Sequence, residues 1–236
     1  MSNTWFSSDY HKFHKNILKY TYPARKQFMS KFEIDIMEYG TQEEKNKLYI
    51  SDETIEKMNK GITNFHNEIV TNDDTVHFLG DYAFYASQRK AINGEGQPYQ
   101  RDDLFSMNGR FVYIRGNHDK NSNKFKPKIE TLIINQKGIK IQCIHDPLYA
   151  KIDYDLILCG HVHNNFKVKE LHYCGETRLI INVGIDVWDM APVKLDDLLS
   201  IYRKWRGQRS KLKRWETPLI LKELNKGTLA DGNKQR

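Results

Sequence analysis

Five short runs of apolar and β-branched residues constrain this chain most, because each stops on residues able to bind metal or move a proton. Thr4–Ser7 leads into Ser8-Asp9-Tyr10-His11, Thr75–Leu79 into Gly80-Asp81, and Phe111–Ile114 into Arg115-Gly116-Asn117-His118-Asp119. Ile139–Gln142 leads into Cys143-Ile144-His145-Asp146, and Leu156–Cys159 into Gly160-His161-Val162-His163. Runs of this composition read as buried strands, and open α/β sheets place their sites beyond the carboxyl ends of strands. Gly116 reads as the residue that lets the backbone turn sharply after its strand. In extended chain alternate side chains point the same way, so Asp9 pairs with His11 and His161 with His163, each pair able to grip an ion. The donors are carboxylates, one amide oxygen and several imidazoles, with no thiolate among them. That mixture suits Mn, Fe or Zn better than a thiolate-type structural zinc site or an all-oxygen calcium site.

With 236 residues and 39% hydrophobic content, the chain can build one large domain, or one domain with an appendage. No charged and then apolar leader opens it, and no apolar run approaches the length of a membrane span, so a cytoplasmic protein without membrane contact is expected. Cys143, Cys159 and Cys174 lack paired spacing and fit reduced thiols, the first two as small buried hydrophobes. The net charge of +7 is uneven: residues 200–236 hold 11 Lys and Arg against 3 Asp and Glu, leaving 26 against 27 elsewhere. The division expected is therefore a domain over 1–199 and a basic C-terminal helix and tail over 200–236.

Between the five runs, residues 11–20 are expected to begin a helix beside the site, with His14 and Asn16 able to meet a substrate phosphate at its N-terminus. For His14 a supporting or surface role is an even alternative. Residues 22–38 read as a helix with Pro23 in its first turn, and 41–51 as a loop or frayed helix. Ile55, Met58, Ile62, Phe65 and Ile69 recur at helical spacing and mark the best amphipathic helix, with His66 on its surface. His77 reads as a core histidine. Residues 82–104 contain Gly94-Glu95-Gly96-Gln97-Pro98, a loop signal, where Tyr99 and Arg101 either contact substrate or lie in plain solvent loop. Hairpins are expected around Gln136-Lys137-Gly138 and around Cys174-Gly175-Glu176-Thr177. Leu195, Leu198, Leu199 and Tyr202 open a last helix. Helices and strands alternate early and hairpins dominate late, which fits a mixed α/β sandwich.

The order Asp-x-His, Gly-Asp, Gly-Asn-His-Asp, His, Gly-His-x-His resembles the calcineurin-like metallophosphoesterases. Trp5 to Ile17 and Asn182-Val183-Gly184-Ile185-Asp186-Val187-Trp188 resemble a small bacterial and phage branch of that family. Many members carry a further acid where this chain has Phe84, a position that is not a metal ligand in the family pattern. The resemblance implies an α/β fold of two packed mixed β-sheets flanked by helices, a four-layer sandwich. It also implies two divalent metal ions, manganese foremost and iron, zinc or nickel as alternatives. The first ion would take Asp9, His11, Asp81 and His163, and the second Asp81, Asn117, His145 and His161. His118 would serve the leaving oxygen, with Asp119 orienting its ring.

The implied activity is hydrolysis of a phosphoester by a metal-bridging hydroxide, with a phosphodiester or nucleotide favoured as substrate. The alternative is a nucleic-acid-binding protein with weak or absent hydrolase activity. It rests on residues 203–215, where 7 of the first 12 residues are basic and Trp205 and Trp215 are interleaved. The bland reading of that segment is a solvated helical face with its tryptophans packed on the domain. Neither the substrate, the native metal nor the oligomeric state follows from the sequence.

Overall fold

The structure is a computed structural model and describes residues 2–84, 106–119, 127–213 and 216–229. Tyr99, Arg101 and Trp215 lie outside the described residues. The strands are β1 Thr4–Ser7, β2 Thr75–Phe78, β3 Arg110–Tyr113, β4 Thr131–Gln136, β5 Ile139–Ile144, β6 Leu156–Cys159, β7 Val168–Tyr173, β8 Glu176–Asn182 and β9 Val193–Lys194. They form two sheets, one ordered β3-β2-β1-β9 and the other β4-β5-β6-β8-β7. In the first, β1, β2 and β3 run parallel and β9 antiparallel. In the second, β5, β6 and β8 run parallel, with β4 and β7 antiparallel at the edges. Both sheets are therefore mixed.

The central strands β1 and β6 are buried on both faces because apolar layers cover both, while the edge strand β4 alternates exposed and half-buried residues. Phe6, Leu79 and Ile114 from the first sheet meet Ile141, Cys143, Leu158, Leu179 and Ile181 from the second in one core. On the other side of the first sheet, Phe78 packs with a helical layer that includes Leu18, Met58 and Ile62. Burying a side chain of this size contributes about 1.5–3 kcal/mol. The two edge hairpins are tight because the residues between their strands accept left-handed backbone. Lys137 and Gly138 have φ of 53° and 78°, and Cys174 and Gly175 have 47° and 86°.

The helices are α1 Ile17–Tyr20, α2 Lys31–Tyr39, α3 Gln42–Lys47, α4 Asp52–Ile69, α5 Leu195–Arg209 and α6 Leu219–Leu224. Two expectations are corrected here. The helix expected from residue 11 is a single turn starting at Ile17, since His11 and Phe13 sit at φ of 48° and 64° and cannot continue one. The helix expected over 22–38 starts only at Lys31, where Ser30 and Glu33 form a capping box. The second such box, Thr41 with Glu44, converts part of the 41–51 stretch into α3. Glu33 reaches further: it also accepts from the Ser51 amide at 2.9 Å and the Thr54 hydroxyl at 2.7 Å. One buried carboxylate thus ties the start of α2 to the start of α4.

His66 is not on the surface as expected. It is fully buried, with Nδ1 2.8 Å from the Tyr10 hydroxyl and Nε2 2.8 Å from the Asn108 carbonyl. The Asn108 carbonyl can only accept, so Nε2 carries the proton and Nδ1 accepts from Tyr10. His77 stacks on Phe6 and joins no donor cluster. Residues 199 and 200 both lie within α5, and Leu198, Leu199, Tyr202, Trp205, Ile220 and Leu221 belong to the core between the sheets. No described helix is long and apolar enough to cross a membrane.

Candidate metal centre

The carboxyl ends of the six parallel strands point to one edge of the molecule, and the loops leaving them carry all the donor residues. Three groups of side chains place their ligand atoms within 4.8 Å of one another: Asp9 with His11 and His163, His11 with Asp81 and His118, and Asp81 with His145 and His161. Asp81 joins two of these groups, and it is buried.

The backbone reaches this arrangement in a way that alternation along a strand does not describe. Asp9, His11, Asp81, His161 and His163 lie at φ of 60°, 48°, 58°, 70° and 47°. Non-glycine residues held there are strained, and such strain gathers at functional sites. His161 and His163 consequently do not grip one ion as a pair. His163 joins Asp9 and His11, and His161 joins Asp81 and His145. Gly116 does not use a left-handed turn either. A Cβ there would collide with the Asp81 carboxylate, and one on Gly160 would collide with Ser8 and Asp9. These two glycines permit a close approach of loops.

Hydrogen bonds fix most of the rings. His145 Nδ1 donates to the Leu79 carbonyl at 2.7 Å, which turns Nε2 toward Asn117 Oδ1 at 2.9 Å and Asp81 at 3.3 Å. His161 Nδ1 lies 2.9 Å from the same Asn117 oxygen. The His161 amide donates to Asp9, and the His118 amide donates to Asp81 Oδ1 at 2.9 Å. His11 Nε2 lies 3.7 Å from Asp9 and 3.5 Å from Asp81, and it is buried with no hydrogen-bond partner.

Charge in the cluster favours a cation. Burial by itself would raise the Asp9 carboxyl, but the adjacent His11 ring and the charges of His145 and His163 outweigh it and hold the group below its ordinary range. Asp81 is held down in the same way, His145 being the main partner that overcomes burial. Burial opposes charge on His145, yet Asp81 and Asp9 lift it to about 9. Burial depresses His11 despite both carboxylates. An orphaned imidazole nitrogen, two carboxylates and an amide oxygen converging on one volume fit divalent cations.

Two buried residues near the site escaped the sequence reading as functional positions. Asp186 accepts from Arg25 Nε at 2.7 Å and from His163 Nδ1 at 2.8 Å. Arg25 is fully buried and also donates to the carbonyls of Asp9, at 2.6 Å, and Tyr10, at 2.9 Å. The pair therefore sets the His163 ring and braces the Asp9 loop at once. Asp186 lay inside the quoted 182–188 motif, but nothing in sequence linked it to Arg25, 161 residues away.

Asp119 has a different task from the expected one. Its carboxylate accepts from the amides of Asp81, at 3.0 Å, Tyr82, at 3.3 Å, and Gly116, at 2.8 Å. Its acceptors thus latch two loops together; the bonds go to backbone, not to the His118 ring. His118 itself stands beside His11, with ring centroids 5.1 Å apart. His14 is brought to the cluster, 5.4 Å from His11 and 5.7 Å from His118 between centroids, and stacks on Phe84. Burial and the neighbouring histidine charges push it down to about 3. Asn16 is exposed at the start of α1, without a side-chain cap bond, and no described contact joins it to the cluster.

In comparison with known proteins, no family model matches the sequence. The uncharacterized protein MJ1445 of Methanocaldococcus jannaschii is 32% identical over 158 residues, which are 66% of this chain and 81% of that protein. Among solved structures, the protein of unknown function AQ665 from Aquifex aeolicus superposes with a TM-score of 0.51 at 20% identity, over 85% of this chain and 100% of that one. That is a likeness of fold. Vps29 from Entamoeba histolytica, solved with zinc, is 14% identical over 77% of this chain and 73% of its own, at a TM-score of 0.30 that is too low to build on. At the identity and coverage shared with the archaeal protein, this chain belongs to the MJ1445 family.

Proposed function

We propose that this chain is a metal-dependent phosphoesterase of the calcineurin-like kind, acting on a phosphodiester or nucleotide. The observation that carries the reading is the buried Asp81 shared between two donor groups, with the partnerless His11 Nε2 beside it. Asp9, His11, Asp81 and His163 would hold one divalent cation, and Asp81, Asn117, His145 and His161 the other, manganese suiting the oxygen and nitrogen donors. When bound, such a pair supplies a deprotonated water at neutral pH and neutralises phosphoryl oxygens.

The remaining roles belong to the protein's own groups. His145 and His163 each donate Nδ1–H to a fixed acceptor, which presents Nε2 to the site. His118 is anchored through its backbone on Asp81, with its ring at the mouth of the cluster, where it can protonate a leaving oxygen. Asp119 keeps the Asp81 and Gly116 loops in register. His14 offers a neutral nitrogen to phosphoryl oxygen from the His11 side.

The test combines metal content with turnover on nitrophenyl monoesters and diesters, a cyclic nucleotide and an oligonucleotide, with manganese added. Asp81→Asn should keep the fold and lose tight binding of both cations; two ions per chain in that variant would overturn the assignment. His118→Ala should keep the metal content and lose about 10²–10⁴-fold in turnover. The loss should be smaller for nitrophenolate than for poor leaving groups, and equal losses would remove the acid role.

A further inference from the structure

A cavity of about 600 Å³ opens directly beside Asn117 and His145. Its floor is Ile144 and Gln142 of β5, and its walls include Tyr149, Tyr154, Lys151 and Arg115. The wall is built, since the Gln142 amide is spent holding it: Nε2 donates to the Tyr149 carbonyl at 3.3 Å and Oε1 accepts from the Lys151 amide at 2.9 Å. Asp146 accepts from the Leu148 amide at 2.9 Å and so shapes the short 3₁₀ turn Pro147–Tyr149. That turn leaves Tyr149 72% exposed at the cavity rim, a flat ring with nothing packed over it.

The ionic residues lining the cavity are two of each sign, Arg115 and Lys151 against Glu130 and Asp146, and they are not all paired with one another. Arg115 is paired with Glu130. Asp146 accepts the Leu148 amide and lies 4.0 Å from His161 Nε2. Lys151 has no carboxylate partner among the described residues, so its ammonium is open to a ligand. The apolar Ile144, a bare aromatic face and an ammonium without an ion pair, beside the candidate donor groups, suit a flat ring carrying an anion.

On the phosphoesterase reading, we propose that this cavity receives the nucleotidyl part of the substrate, its base against Tyr149 and a phosphate other than the scissile one toward Lys151. A sugar phosphate would satisfy Lys151 and leave Tyr149 unused. A simple aryl phosphate would use neither strongly.

The experiment uses the full chain with manganese and two diesters that release the same nitrophenolate: thymidine 3′-phosphate 5′-(4-nitrophenyl phosphate), which carries an anion besides the scissile group, and bis(4-nitrophenyl) phosphate, which does not. Tyr149→Ala and Lys151→Ala alter exposed side chains, so both variants should fold. Losing the stacked base should raise KM for the thymidine ester roughly 5-fold to 150-fold in Tyr149→Ala. Lys151→Ala should raise it as well, and the bis(4-nitrophenyl) ester should stay within about 2-fold of the parent in both. Parallel losses on both esters, or none on either, would overturn the proposal. Titration of adenosine 5′-monophosphate by calorimetry supplies a readout without turnover. If the parent hydrolyses neither ester yet binds the nucleotide through Tyr149 and Lys151, the phosphoesterase reading fails and the nucleotide site stands. If the parent is active and binding is unaffected by either substitution, the nucleotide site fails and the reading of the metal centre stands.

Discussion

Asp186 serves two partners of different character, a permanently charged guanidinium and an imidazole that must present one chosen nitrogen. Replacing it by Asn leaves Arg25 buried with its charge uncompensated, at a cost of about 3–5 kcal/mol. For a chain of this size that lowers the melting temperature by roughly 6–20 °C. The same change lets His163 exchange which ring nitrogen carries the proton. In Asp186→Asn we expect metal affinity to fall about 10–100-fold, together with a changed His163 tautomer in nitrogen-detected NMR of the metal-free protein. An unaltered tautomer and unaltered affinity would mean that Asp186 serves Arg25 alone. At this scale the convergence of Asp9, His11, Asp81, Asn117, His118, His145, His161 and His163 was legible because donor chemistry is a property of the residue itself. Asp119 shows the limit. Its carboxylate is equally able to orient an imidazole or to latch amides, and only the approach of the Asp81 loop decided between them.

α4 illustrates the element scale. Its apolar spacing predicts the helix and the buried Ile55, Met58 and Ile62, but places His66 on the wrong side of the water boundary. Burial, together with the charge of Lys12, presses His66 down to about 4 against the pull of the Asn108 carbonyl. The unfolded chain titrates this ring near 6.5 and the folded one near 4, so between those values the unfolded state holds the extra proton. Stability therefore falls as pH drops through this window and levels off below it. The contribution is at most about 3 kcal/mol. Comparing urea unfolding of the parent and His66→Gln from pH 7 to pH 4 isolates it. The variant should show the shallower loss, and identical slopes would mean that the ring titrates freely in the folded protein. Helix ends followed local chemistry more closely. The pairs Ser30 with Glu33 and Thr41 with Glu44 are visible in sequence as capping boxes, yet the expected boundaries passed over them.

For the whole molecule, the C-terminal basic segment changes meaning once it is folded. Trp205 is 4% exposed, donates to Glu170 at 2.7 Å and packs with Tyr202 in the core between the sheets. Arg209 pairs with the same Glu170, and Lys204 with Glu223. Trp205 is therefore not free to stack on a base, and a nucleic-acid role for 203–215 loses that aromatic contact. Trp205→Ala should cost about 3–5 kcal/mol. A chain ending at residue 199 should lose its cooperative melt, because Tyr202, Trp205, Ile220 and Leu221 leave the core with it. A truncated protein with a sharp thermal transition near the parent value would show that the segment is an appendage after all.

The sequence by itself determined the strands, the order of the donor residues at their ends, the mixed α/β class and the main amphipathic helix. Each is a local pattern: β-branched runs, donor types and 3.6-residue spacing survive without knowledge of neighbours. The tertiary structure alone decided the left-handed backbone that splits His161 from His163, the Arg25–Asp186 pair, the burial of His66 and the packing of Trp205. Those features depend on which distant segments meet. A buried charge or imidazole is tolerated only where a partner arrives from elsewhere in the chain to replace the water it has lost.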